Sequence, residues 1–267
     1  MQKQTRKEMS TIIYSSPIFG PVMSRRLGVS LGVNLMPGDG KVCTFDCIYC
    51  ECGFNKEHIP HSRRPTREEV AKALEEVLRQ RKANGEPLDD IAFAGNGEPT
   101  AHPDFSGVIA DTIRLRNEYF PKATVSVLSN ATFVWKEEVR EALTLVDNNI
   151  QKLDTISPSY INMVDRPQQP AYDVKKVVSD LKKFQGKVIL QTMFMKGTAS
   201  GHNVDNTGEE YVRPWLETVK EIMPQKVMIY TIDRETPVQG LLKAEPSTLD
   251  AIKARVEKMG IACTASY

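Results

Sequence analysis

LGVSLGVNLMPGDGKVCTFDCIYC, residues 27–50, decides the reading of the fold. In its first part Leu27, Val29, Leu31, Val33 and Leu35 alternate with small or polar residues, the pattern of a strand with one buried face. In its second part Cys43, Cys47 and Cys50 stand in a C-x3-C-x2-C spacing, with Cys52 two residues further on. A strand that runs into a cysteine-bearing loop puts that loop at the strand's C-terminal end.

Working outward, further strand candidates fall at residues 90–94, 124–128, 152–156, 187–195 and 226–232. Helical patterns separate them. Thr66 and Glu69 form a T-x-x-E capping box ahead of Val70, Ala73, Leu74, Val77 and Leu78, with Gly85 available to end the unit. Ser247 and Asp250 repeat the box before Leu249, Ile252 and Val256. Other helices are expected at 104–119, 135–143, 173–184 and 209–222. Strand followed by helix, repeated about six times, implies parallel strands joined by right-handed crossovers. The expectation is an α/β fold, a partial, open (β/α)6 barrel of parallel strands with outer helices; a doubly wound sheet is the competing architecture. In either case the working face lies where the strands' C-terminal ends meet their loops.

Residues 1–267 are read as a single domain, with 1–26 as an N-terminal extension and 43–65 as a cysteine loop and polar flap. Forty per cent hydrophobic and 26% charged residues exclude a disordered chain and a membrane bundle. Thirty-five Lys and Arg against 34 Asp and Glu leave a formal charge of +1, so no global field attracts a nucleic acid or an anionic membrane, though a local basic patch stays open. No run approaches the ~20 apolar residues of a membrane helix, and MQKQTRKEMSTIIY lacks the apolar stretch of a signal peptide. A cytoplasmic protein without membrane contact is expected. In that reducing compartment cysteines are first metal ligands or catalysts. Cys263 is read as a buried small hydrophobe, and His58, His61, His102 and His202 as surface residues.

Three thiolates within eight residues can converge on one inorganic centre. A cubane has four irons, so three protein ligands leave one iron open to something that is not protein, whereas ferredoxin-type carriers close every position with cysteine. Structural zinc usually takes two cysteine pairs, and no second pair follows downstream. Cys52 either closes the cluster as a fourth ligand or points away. At the end of the second strand candidate, FAGNGEPTAHPDF offers Gly95 and Gly97 for close backbone approach and Glu98 as an acceptor; a plain glycine turn is the simpler account of the same residues.

The C-x3-C-x2-C spacing, with an aromatic residue before the last cysteine, resembles the radical S-adenosylmethionine (radical SAM) superfamily. The resemblance implies a [4Fe-4S] cluster on Cys43, Cys47 and Cys50 and S-adenosylmethionine on the open iron. One electron from the cluster then breaks the sulfonium bond, and a 5'-deoxyadenosyl radical takes hydrogen from a substrate. By the same resemblance Gly95, Asn96, Gly97 and Glu98 hold the methionyl amino group. Ser129 and Asn130 face ribose and carboxylate, Ser157 and Gln191 occupy neighbouring rim positions, and Tyr49 lies against adenine, although a loop anchor explains Tyr49 equally well. GPVMSRRLGVSLGVN, VDRPQQP, MFMKG and YTIDRETP look like the subgroup related to wyosine (tRNA-modifying) synthases. The additional cysteines of that subgroup's second cluster are missing, which counts against carrying its reaction over.

Arg25, Arg26, Arg166 and Arg234 are candidates for an anionic substrate group or, alternatively, for a salt-bridged rim. No residue is singled out as catalytic. The expected protein is an oxidoreductase or transferase served by a flavodoxin- or ferredoxin-type electron donor, acting on an RNA nucleoside or a peptide or protein residue. From a different class, an iron-sulfur electron carrier or a zinc-stabilised binding module would lack chemistry on S-adenosylmethionine.

Overall fold

The computed structural model describes residues 11–24 and 27–267. An edge strand, β1 (Ile18–Ser24), pairs antiparallel with β2 (Gly28–Val33). Then come β3 (Asp90–Phe93), β4 (Thr124–Ser129), β5 (Asn148–Lys152) and β6 (Ile189–Met193). β7 (Met195–Ala199) and β8 (His202–Asn203) leave the sheet, β9 (Lys226–Tyr230) rejoins it, β10 (Leu241–Lys243) pairs back onto β7, and β11 (Ala262–Ser266) ends it. The main sheet runs β1-β2-β3-β4-β5-β6-β9-β11, parallel from β2 onward.

Strand order never reverses, which removes the switch point that defines a doubly wound sheet. The sheet curls instead. Ser24 on one edge strand and Ser266 on the other line the same cavity, as in a partial barrel. Outside it lie α1 (Arg67–Ala83), α2 (Phe105–Tyr119), α3 (Glu137–Leu145), α4 (Pro158–Val164), α5 (Val174–Lys182), α6 (Glu209–Ile222) and α7 (Pro246–Glu257). The strands' outward residues Leu31, Val33, Ile91, Phe93, Val125 and Val127 share one core with Leu74, Leu78 and Ile109 of the helices. Inward, Ile150, Ile189 and Met228 form a small layer with Leu128. With both faces covered, all four residues of β3 are buried.

Several expectations shift. The fourth strand occupies 148–152, ahead of the expected 152–156, because its outward residues are polar: Gln151 Nε2 donates to Asn149 Oδ1 at 2.6 Å and Asn149 Nδ2 to the Lys187 carbonyl at 3.2 Å. That pairing hides a buried strand from a hydrophobicity reading. The expected run 187–195 splits at Phe194 into β6 and β7. The third helix lies at 137–145 instead of 135–143. The Thr66 box forms as expected, Glu69 N–H reaching Thr66 Oγ1 at 3.3 Å and Thr66 N–H reaching Glu69 Oε2 at 2.8 Å. The Ser247 box does not form, since Pro246 already opens α7 with its fixed φ. His102, expected at the surface, is buried with Nε2 at 2.8 Å from the Pro65 carbonyl oxygen. No described helix is long and apolar enough to cross a membrane.

Candidate active site

Beyond β2 the chain crosses the C-terminal rim, where Val42 bridges to Gly97 and its N–H donates to the Asn96 carbonyl at 2.9 Å. A Cβ at Gly97 would overlap the Val42 carbonyl oxygen, so glycine is what lets the two rim loops touch. The cysteine loop then turns, Cys50 N–H donating to the Cys47 carbonyl at 3.1 Å. Ile48 N–H reaches Val164 O at 2.9 Å and Asp46 N–H reaches Asp165 O at 3.0 Å, which stitches the loop to the end of α4. Asn55, in the stretch expected as a flap, closes it: Asn55 Oδ1 accepts from Cys43 N–H at 3.0 Å, and Asn55 Nδ2 donates to the Cys43 and Phe45 carbonyls at 3.1 and 3.3 Å. Phe45, Ile48, Tyr160, Val164, Met193 and Met195 pack around the loop.

Cys43, Cys47 and Cys50 are free; Cys47 is buried and the other two keep an exposed edge. Burial pushes the Cys43 thiol up to about 12 and Cys47 well above a free thiol. Cys50 goes the other way, to about 6, lowered first by its interaction with the neighbouring Cys52 side chain. Cys52, beside Cys50, is 5% exposed and gives its one S–H to the Gly95 carbonyl at 3.4 Å. Among the described residues no three His, Cys, Asp or Glu side chains gather as ligands of one ion.

Glu98 is 2% exposed and fully engaged: Oε1 accepts from Thr100 N–H at 3.0 Å, and Oε2 from Asn130 N–H at 2.6 Å. Burial pushes its carboxyl up. Asn96 is also buried, its side chain gripping both backbone groups of Tyr14 at 2.8 Å, and so fixes the N-terminal segment on the rim. Ser129 Oγ accepts from Ala131 N–H at 3.0 Å. Asn130 Nδ2 donates to Thr44 Oγ1 at 2.8 Å and lies 3.7 Å from the Cys43 sulfur. Ser157 is the N-cap of α4.

Tyr49 touches both the cavity and a buried network that the sequence reading missed. Its hydroxyl hydrogen-bonds Asp154 and Lys152; Lys152 Nζ in turn contacts Asp154 and lies 2.8 Å from Asp165 Oδ1 and 4.9 Å from the Tyr49 ring centroid. Burial pulls the Lys152 ammonium down, but the two carboxylates overcome this and hold it well above an ordinary lysine. Burial pushes Asp165 up to about 6, even against that cation. The available signal was a K-x-D pair at a strand end with a third charge in VDRPQQP.

Inside the half-barrel is a cavity of about 420 Å³. Of the expected site residues, Tyr49, Cys50, Gly95, Gln191 and Arg234 line it, while Cys43, Cys47, Asn96, Gly97, Glu98, Ser129, Asn130 and Ser157 are not among the residues lining it. Apolar side chains such as Phe19, Leu128, Ile150, Met193 and Met228 form most of the surface. Arg234 is at the mouth, paired with Glu51 at 2.7 Å and hydrogen-bonded to the Tyr14 hydroxyl at 3.2 Å. That is the salt-bridged-rim alternative. Arg166 stacks over Phe54 with its guanidinium 5.3 Å from the ring centroid and is not among the residues lining the cavity. Arg25 and Arg26 lie outside the described residues.

Residues 39–201 match the profile of the radical SAM superfamily. The chain belongs to that superfamily. Members of that superfamily use an iron-sulfur cluster and S-adenosylmethionine. Among curated relatives it is 28% identical over 244 residues to a protein of Brachyspira hyodysenteriae called "GTPase Obg", covering 88% of this chain and 32% of that protein. It is 30% identical over 219 residues to a "UPF0026 protein" of Methanocaldococcus jannaschii, covering 80% of this chain and 62% of that one. The chain thus spans about a third and about three fifths of these relatives' lengths. Its two Gly-Lys pairs, Gly40-Lys41 and Gly186-Lys187, are each followed by Val, so no G-x-x-x-x-G-K-[ST] phosphate loop carries the first similarity.

Among solved structures, a radical SAM methyltransferase from Sphaerobacter thermophilus superposes with a TM-score of 0.64 at 14% identity, covering 89% of this chain and 66% of that one. SuiB of Streptococcus suis, solved with bound S-adenosylmethionine, gives 0.60 at 15%, covering 88% and 50%. TYW1, solved with a lysine-pyruvate adduct, gives 0.59 at 12%, covering 86% and 73%. These likenesses are of fold.

Proposed function

We propose that residues 1–267 act as one radical SAM unit in which Cys43, Cys47 and Cys50 hold a single [4Fe-4S] cluster and the cavity beside Cys50 takes S-adenosylmethionine and the hydrogen-donating substrate group. Bound there, the cluster supplies the electron that cleaves S-adenosylmethionine and generates a 5'-deoxyadenosyl radical for hydrogen abstraction. The observation that carries the reading is the position of Cys50: among the three spaced cysteines it is the one that opens onto a ligand-sized chamber shared with Gly95 and Gln191.

The chain's own residues do the positioning. Glu98 and Asn130 tie the ends of β3 and β4 to the cysteine loop and stand behind Cys43. Gly95 and Tyr49 form the wall nearest Cys50, and Gln191 offers an amide from β6. The apolar lining excludes water, which protects a reactive carbon radical and favours uncharged substrate groups at depth. An RNA nucleoside or a peptide side chain both suit such a chamber, with any charge left at the mouth beside Arg234. A flavodoxin- or ferredoxin-type protein is the expected electron donor. Anaerobic reconstitution with iron and sulfide counts, followed by dithionite and S-adenosylmethionine, tests the reading: 5'-deoxyadenosine is expected, and a fully loaded chain that never releases it would refute it.

A further inference from the structure

Two residues ahead of Cys43 the fold buries a lysine. Lys41 is 3% exposed, and an ammonium so placed is costly unless its donors and charge are answered. Its Nζ donates to the Gly53 carbonyl at 2.5 Å and to Asp46 Oδ1 at 3.3 Å. Cys50, Cys43 and Cys47 lie within its electrostatic reach. The segment after the cysteines seals it in: Lys41 N–H donates to the His58 carbonyl at 2.7 Å, and a Cβ at Gly40 would overlap the backbone of His58 and Pro60. Asp46, its one carboxylate partner, also accepts from Asn55 N–H at 2.9 Å, so the lysine charge is shared between that carboxylate and the ligand sulfurs.

We propose that Lys41 is a positioning residue for the cluster, a fixed counter-cation buried within the cysteine loop that makes the bound cluster easier to reduce. The inference rests on the cluster reading above. Reduction adds one negative charge to the cluster, and a cation buried inside the loop that carries the ligand sulfurs stabilises the product more than the reactant, with little solvent to screen it. The same ammonium ties Asp46 to Gly53, so one side chain both closes the loop and sets its field.

Wild type, Lys41→Met and Asp46→Asn are reconstituted anaerobically, assayed for iron and sulfide, and titrated with dithionite and mediators while the reduced cluster is followed by electron paramagnetic resonance. Lys41→Met is expected to lower the reduction equilibrium constant about tenfold or more, which for a one-electron couple is a fall of about 59 mV. Asp46→Asn removes the competing carboxylate and leaves the ammonium, so its midpoint is expected to rise. A purely structural role would not give opposite signs. A loaded Lys41→Met with the wild-type midpoint, or a fall in Asp46→Asn, overturns the proposal. Should Lys41→Met take up no iron, the direction of Asp46→Asn decides. A wild-type chain that binds no iron would overturn the cluster reading and this inference with it, whereas a loaded wild type with unshifted variants overturns this inference alone.

Discussion

Replacing Lys152 by Met would test whether the network beneath Tyr49 holds the cysteine loop. The Lys152 side chain is 13% exposed, and its partners Asp154 and Asp165 are 1% and 3% exposed, so removing the cation strands two carboxylates in a dry site. Breaking a buried pair in this way costs about 3–5 kcal/mol. The cost depends on pH, and its sign follows from Asp165, whose carboxyl is raised from 3.8 to about 6 by burial while Lys152 pulls it down. A proton held more tightly folded than unfolded stabilises the fold fully below 3.8, and that contribution is lost as the pH rises through about 6. Without Lys152 the carboxyl would hold its proton to higher pH still. The deficit of Lys152→Met should therefore be larger near pH 8 than near pH 5. Urea unfolding of the cluster-free protein at both pH values reads it, and Asp165→Asn in the Lys152→Met background should recover part of the loss. A deficit under about 1 kcal/mol, the range of an exposed pair, or one that grows on acidification, would refute the argument.

Other outcomes can be stated from the same geometry. Cys43→Ala, Cys47→Ala and Cys50→Ala should each abolish cluster-dependent cleavage, whereas Cys52→Ala should keep most of the bound iron; iron and sulfide assays with 5'-deoxyadenosine measurement separate the two cases. Gly97→Ala should uncouple the rim loops, because its methyl meets the Val42 carbonyl, and should lower the iron content at saturation while leaving far-UV circular dichroism nearly unchanged. Since burial holds Cys43 and Cys47 as thiols, cluster assembly must release protons, and its rate should rise with pH above neutrality; a pH-independent rate by absorbance would contradict the buried-thiol account.

How much of this was legible depended on which face of each element carried its signal. The alternation from Leu27 to Leu35 marked β2 because its outward face is apolar. β5 was shifted because its outward positions carry the hydrogen-bonded amides of Asn149 and Gln151 where aliphatic residues were expected. The Thr66 box was readable since both halves lie within four residues, while the start of α7 went to Pro246 over a competing Ser-Asp pair. At the site, spacing alone identified Cys43, Cys47 and Cys50 as a set, but spacing is silent about direction. It therefore missed that Cys52 reaches the Gly95 carbonyl, and that Glu98 holds Asn130 while Asn130 holds Thr44 of the cysteine loop. Lys41, Lys152 and Asp165 were passed over for a further reason: a charge in a sequence reads as solvent-facing, and the K-x-D pair gives no sign that the fold buries it against Tyr49.

The claim on which the account rests is that three cysteines leave one iron free to be chelated by S-adenosylmethionine. Hyperfine spectroscopy of the reduced, reconstituted protein with S-adenosylmethionine carrying nitrogen-15 in its amino group and oxygen-17 in its carboxylate tests it directly. Resolved couplings from both labels, lost on addition of excess unlabelled cosubstrate, are expected. A cluster signal that shows neither coupling and does not change when S-adenosylmethionine is added would contradict it.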